Sequence, residues 1–196
     1  MKMKRLIGLI IVFVLLLGCF EGAGFASSNA DNVIDENVIA SMEFLKYLNI
    51  IPDYQEFNVD LEKKVTRGDL ATYIYNVFGD SVAVEAKTYY YDVPKTHWAH
   101  DAVSYLTDVG VLNGSGDKLF EPDEYATVEQ AYKMMVSALG YSYMAEASGG
   151  FPTGYITIAN RIDLSDGIQA SGELTLGTMF MLLNNFVRTE IAEPVI

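Results

Sequence analysis

The sequence predicts a mostly α-helical fold made of three helix-loop-helix repeats, on the strength of three observations. First, three stretches share one kind of helix start: Val65-Thr66-Arg67-Gly68-Asp69-Leu70, Ala126-Thr127-Val128-Glu129-Gln130-Ala131 and Leu174-Thr175-Leu176-Gly177-Thr178-Met179. In each, a Thr hydroxyl can accept the backbone N–H three residues on. The side chain there can reach back, well for Asp69 and Gln130 and poorly for Thr178. Second, the three starts open the same apolar face. Leu70, Tyr73, Ile74, Val77 and Phe78 shift by 61 residues onto Ala131, Met134, Met135, Ala138 and Leu139, and these shift by 48 onto Met179, Leu182, Leu183, Phe186 and Val187. The spacing is that of an amphipathic helix. Third, a companion helix precedes each one: Ser41, Phe44, Leu45 and Leu48 shift by 61 onto Ala102, Tyr105, Leu106 and Val109, and these by 53 onto Tyr155, Ile158, Ala159 and Ile162.

From the N-terminus, Lys2, Lys4 and Arg5 precede the apolar run Leu6 to Leu17. That run is short for a bilayer span and of the length of a signal-peptide core, which predicts an exported protein. Two processing routes compete: ordinary cleavage after Gly24-Phe25-Ala26, or a lipoprotein box, Leu16-Leu17-Gly18-Cys19, which would tie the chain to a membrane only through a lipid on Cys19. The expected organisation is a signal peptide at 1–26, a polar leader at 27–37, repeats at 38–80, 89–141 and 151–188, the last shortened, and a tail at 189–196.

In repeat one, Asn49-Ile50-Ile51-Pro52 stops the first helix, and a loop through Asp53 to Lys64 leads to Thr66. Asp80 to Thr88 is a connector. Tyr89-Tyr90-Tyr91-Asp92-Val93-Pro94-Lys95-Thr96-His97-Trp98-Ala99 reads as a short extended run that turns at Pro94 and enters a helix near Thr96. That helix ends at Gly110-Val111-Leu112-Asn113-Gly114, and Gly114 and Gly167 fall at equivalent sites suited to positive φ. Thirteen residues part Gly114 from Thr127, and only eight part Gly167 from Thr175. Tyr141 to Gly150 reads as a linker. One such helix pair could not bury its apolar stripe alone, whereas three back to back could.

Composition narrows the function classes. The 196 residues are 51% hydrophobic and 12% aromatic, which supports a packed core. Removing the three positive charges and one negative charge of the signal segment from the formal −13 leaves −15, which repels nucleic acid and anionic membranes. The single cysteine, Cys19, lies in that segment, so the folded part is expected to lack thiol chemistry. No phosphate loop and no Gly-x-Ser-x-Gly elbow occur, and no carboxylate pair is set in apolar surroundings, so no enzyme site and no cofactor are expected. Asn113, Ser115, Asp117 and Glu124 match calcium-loop positions, but Lys118 stands where that loop needs Gly. His97 and His100 lack companion ligands and suit helix-end hydrogen bonding better than a metal.

Taken together, Tyr91-Asp92-Val93, His97-Trp98-Ala99, Val109-Gly110-Val111, Asn113-Gly114, Phe120-Glu121-Pro122 and Thr127 resemble the S-layer homology repeat of bacterial cell-surface proteins. Val65-Thr66-Arg67-Gly68-Asp69 is similar to that family's Thr-Arg-Ala-Glu signature. The resemblance covers roughly residues 38 to 187. It implies a pseudo-threefold bundle whose inter-repeat grooves hold an anionic, often pyruvylated, secondary cell-wall polysaccharide, fastening an exported protein to the wall or surface layer without catalysis. Surface-layer proteins are implied as further partners. The signature Arg stands only in repeat one; Val128 and Leu176 replace it elsewhere. A degenerate module that packs against partner proteins and binds no glycan is the alternative.

Five residues are candidates for the polysaccharide site. Arg67, at the first turn of a helix whose free N–H groups and dipole favour an anion, can grip a carboxylate with two parallel bonds. Thr66 and Asp69 would frame it, and they equally make a capping box beside which Arg67 is merely solvated. Trp98 can stack on a sugar ring or plug the seam between two repeats. Lys118 could add positive charge from the loop, or simply be solvated.

Overall fold

A computed structural model describes residues 35–52, 59–78, 87 and 89–192. The signal segment with Cys19, most of the polar leader, and most of the 80–88 connector lie outside the described residues. Seven helices occur among the described residues: α1 Glu36–Tyr47, α2 Arg67–Phe78, α3 His100–Asp108, α4 Val128–Ala138, α5 Ser142–Ala147, α6 Thr153–Arg161 and α7 Leu176–Arg188. Pairing between extended residues is confined there to isolated bridges. The fold is mostly α.

The three Thr starts cap their helices as their side chains dictate. Thr127 Oγ1 accepts the Gln130 N–H at 3.3 Å, and Gln130 Oε1 accepts the Thr127 N–H at 3.2 Å. Thr66 and Asp69 make the same reciprocal pair, each bond 3.1 Å. At α7 the reach back fails: Thr175 Oγ1 accepts the Thr178 N–H at 3.4 Å, but the short Thr178 side chain meets only the Thr175 hydroxyl.

The residues just before these caps close a ring. The Val65 N–H donates to the Leu174 carbonyl, Leu174 to Ala126, and Ala126 to Val65, at 2.9, 3.0 and 2.9 Å. A second set runs round the ring in the opposite sense, from Arg67 to Glu124, Val128 to Gly172 and Leu176 to Lys63. These N–H groups lie just ahead of a helix or at its first residue, where no carbonyl of that helix can serve them.

Around the ring, each first helix packs on the second helix of a different predicted pair: α3 on α2, α6 on α4, and α1 on α7. Helix α7 buries Leu176, Gly177, Met179, Phe180, Leu182, Leu183 and Phe186. A helix apolar on so much of its circumference must be covered on several sides. The first helices end alike. Asn49, Gly110 and Asp163 take φ of 57, 73 and 58°, and the next N–H in each case returns to a carbonyl of the last helical turn, Ile50 to Leu45, Val111 to Leu106 and Leu164 to Ala159.

Several expectations are corrected. The helix expected near Thr96 begins at His100, because residues 94–99 form two successive turns, with the His97 N–H on the Pro94 carbonyl and the His100 N–H on that of His97. Helix α1 starts at Glu36, inside the stretch expected as leader, because Asp35 caps it by accepting the Asn37 N–H at 2.9 Å. Residues 142–147, expected as linker, form α5, whose buried Ala145 lies under Gly154 of α6. Val109, expected in the core, is exposed, since it follows the last turn of α3, and Val103 is buried in its stead. Gly167 does have positive φ, but Gly114 does not. Gly114 is needed for space: a Cβ there would stand 2.4 Å from the Leu119 carbonyl oxygen and 2.5 Å from Tyr90 Cε1.

Candidate functional site

Arg67 opens α2 and faces the loop of the second predicted repeat. Its Nε donates to the Phe120 carbonyl at 2.9 Å, and its guanidinium lies 4.8 Å from the centre of the Phe120 ring. Among the described residues no carboxylate comes within ion-pair distance of it. The side chain is half-buried. Burial pulls its pKa below the ordinary arginine value, while Glu121, Asp92 and Tyr90 pull it back up. A guanidinium keeps its proton throughout the range in which proteins fold, so the net result is a partly dehydrated cation that gains from an anionic partner.

Asp92 builds the surface that Arg67 touches. Its carboxylate accepts the Phe120 N–H at 3.0 and 3.1 Å and the Glu121 N–H at 2.6 Å. This grip stabilises Glu121 at a φ of 60°, a left-handed conformation uncommon for a residue with a Cβ. The turn then delivers the Pro122 carbonyl to the Gly68 N–H at 2.8 Å, so the first turn of α2 is tied to the opposite loop by Arg67 and Gly68 together.

Trp98 lies across the same seam. A Cβ on Gly68 would stand 2.9 Å from its ring edge at Cη2, yet 57% of the residue is exposed. The indole therefore meets the seam with one edge and offers the remainder to solvent. Thr66 and Asp69 are engaged in their capping box, and Thr66 Oγ1 also donates to Asp69 at 2.9 Å. Lys118 sits at a φ of 58° with its Nζ 5.6 Å from the centre of the Tyr91 ring. The structure thus brings Arg67 and Trp98 to one seam and sets Lys118 over Tyr91 on the adjoining loop.

The positions matching Arg67 in the other two starts, Val128 and Leu176, are buried. His97 accepts the Ala99 N–H through Nδ1 at 3.1 Å, and the buried His100 meets Asp101 at 3.0 Å. Gly68 and Asp92 escaped the sequence reading as site-building residues. No local pattern marks them, because Asp92 acts on a backbone turn 29 residues further along the chain.

The sequence pattern of the S-layer homology domain matches residues 89–131. The chain is 26% identical to the "Middle cell wall protein" of Brevibacillus brevis, over 98% of this chain and 19% of that protein. It is 25% identical to the "Surface layer protein" of Brevibacillus choshinensis, over 98% of this chain and 18% of that one. For the "Cell surface protein" of Thermoanaerobacter kivui the figures are 24%, 99% and 26%. The chain therefore spans about a quarter or less of the length of these curated relatives. Residues 89–131 of this chain thus form an S-layer homology domain.

Proposed function

We propose that this chain is an exported, non-enzymatic module of the cell surface that holds its protein to the wall, and that the seam at Arg67 and Trp98 binds an anionic secondary cell-wall polysaccharide, pyruvylated or otherwise carboxylated. One observation carries the reading. Arg67 is partly dehydrated and braced by the Phe120 carbonyl and ring, yet has no carboxylate partner among the described residues, and it stands beside an exposed indole. A carboxylate on a sugar supplies the missing anion, and the neighbouring ring can lie on Trp98. The first-turn N–H groups of α2 add little, because those of Arg67 and Gly68 already serve Glu124 and Pro122. The three-repeat, pseudo-threefold arrangement proposed for the whole module draws support from the ring of hydrogen bonds through Val65, Ala126 and Leu174.

The test is co-sedimentation of the protein with purified walls and with walls stripped of their secondary polysaccharide. Pelleting with the first and not the second is expected; equal pelleting with both defeats the polysaccharide reading. Arg67→Ala should weaken wall binding by about tenfold or more, the scale of one charged hydrogen bond, and melting curves recorded alongside separate lost binding from lost fold.

A second reading, a surface module that docks on partner proteins such as those of the surface layer, is favoured by Val128 and Leu176, which make the two other starts part of the core. Its mark would be a stable protein partner retained by the Arg67→Ala variant in the absence of wall binding.

A further inference from the structure

The loop that follows α3 opens with Asn113-Gly114, and of the chain's asparagines only Asn113 is followed by a glycine. Glycine leaves its own backbone nitrogen unshielded, because it carries no side chain. Asn113 is exposed and lies outside any helix, and its side-chain amide has no hydrogen-bond partner among the described residues. The Gly114 N–H likewise donates to no acceptor there. No hydrogen bond has to break before that nitrogen meets the Asn113 amide carbon.

The chain beyond is wound tightly. The Ser115 N–H donates to the Leu119 carbonyl at 2.9 Å and the Leu119 N–H to that of Gly116 at 2.8 Å, while Asp117 and Lys118 both take positive φ, 46 and 58°. Gly114 packs between this turn and Tyr90, where the Leu119 carbonyl oxygen and the Tyr90 ring leave no room for a Cβ. Tyr90 is itself buried and rests on Phe120, with ring centres 5.7 Å apart. Phe120 in turn braces Arg67.

We infer that Asn113-Gly114 is a site of spontaneous covalent modification, at which conversion of Asn113 to isoaspartate loosens the loop that carries Phe120. The Gly114 nitrogen loses its proton to a solvent base and attacks Asn113 Cγ. The new N–Cγ bond closes a succinimide ring, the Cγ–Nδ2 bond breaks, and the side-chain nitrogen takes up a proton from water and leaves as ammonia. Water then opens the ring. Addition at Cγ gives aspartate on an ordinary backbone, whereas addition at the main-chain carbonyl gives isoaspartate, whose backbone runs through the former side chain and is a methylene longer. Aspartate adds only a charge at an exposed position. Isoaspartate displaces Gly114, and in a close-packed site the turn or Tyr90 has to move with it, taking Phe120 along.

The experiment is prolonged incubation of the folded full chain in mildly alkaline buffer below its melting temperature, beside a sample held in denaturant. Peptide mass mapping, methylation by an isoaspartyl methyltransferase and melting curves follow. In the folded sample the peptide holding residues 113–114 should gain the mass of an amide-to-acid conversion ahead of every other asparagine peptide and should accept methyl groups. A lower-melting population should grow in step with the methylated fraction. Asn113→Gln, whose longer side chain would have to close a larger ring, should start at the native melting temperature and show neither change. Freshly prepared Asn113→Asp should melt like the unaged protein, which separates the altered backbone from the added charge. Conversion in denaturant alone, methylation without a fall in melting temperature, equal ageing of Asn113→Gln, or a fall already present in fresh Asn113→Asp would overturn the inference. None of these readouts depends on what the Arg67 seam binds, so failure here and failure of wall binding are told apart.

Discussion

At the first turn of α2, Arg67 and Gly68 work as a pair: one braces the Phe120 carbonyl and the other lets the Trp98 ring edge come close. Gly68→Ala should push the indole outward, lowering stability by about 1 kcal/mol or more through overpacking and shifting the emission of Trp98, the sole tryptophan of the chain. Fluorescence during unfolding reads this directly. Arg67→Lys keeps the charge but loses the planar fork, so wall binding should fall nearly as far as in Arg67→Ala. Tyr132 offers a pH test. Its side chain is buried, its hydroxyl donates to the Gln169 carbonyl at 3.1 Å, and burial, helped by Glu129, pushes its pKa up to about 12. The folded state therefore holds this proton more tightly than the unfolded chain, whose tyrosines titrate near ~10. The contribution is full below that value and is lost as pH rises toward about 12. Tyr132→Phe should flatten the fall in melting temperature over that alkaline window, and the near-ultraviolet phenolate signal should lose its last-titrating component.

Helix starts set the second scale. Thr127 and Gln130 exchange both capping bonds, whereas Thr175 receives only one, at 3.4 Å, and Thr178 returns none to the backbone. Thr127→Ala should therefore cost about 1 kcal/mol, and Thr175→Ala less, in denaturant unfolding measured side by side. A larger loss at Thr175 would mean that its value lies in the ring and not in the cap. The apolar faces of all three capped helices were legible from spacing alone, since Leu70, Met135 and Leu183 are all buried as their register requires. Helix α5 was not legible. Its six residues carry too little periodicity for a pattern, and it exists because Ala145 fits beneath Gly154 and Tyr155 Oη donates to Glu146 at 2.8 Å.

For the whole molecule the ring of Val65, Ala126 and Leu174 couples segments 109 residues apart in sequence. No two of the three can close it. A chain truncated before residue 171 loses Leu174 and the enclosed helix α7, so it should show no cooperative melting by circular dichroism, where the full chain shows one transition. Leu183→Ala, in the middle of α7, should cost roughly 2–5 kcal/mol and leave that transition single. The sequence by itself determined the three Thr-capped helices, their capping and the face each one buries, because hydrogen bonds three residues apart and a 3.6-residue period are local properties. It also determined that Arg67 heads a helix. Only the tertiary structure decided which helix covers which face, with α3 on α2, α6 on α4 and α1 on α7. It alone set Asp92 under the turn that meets Arg67, and Arg188 on Phe44. Those are choices among apolar and charged partners that the chain offers in many combinations, and burial in three dimensions selects among them.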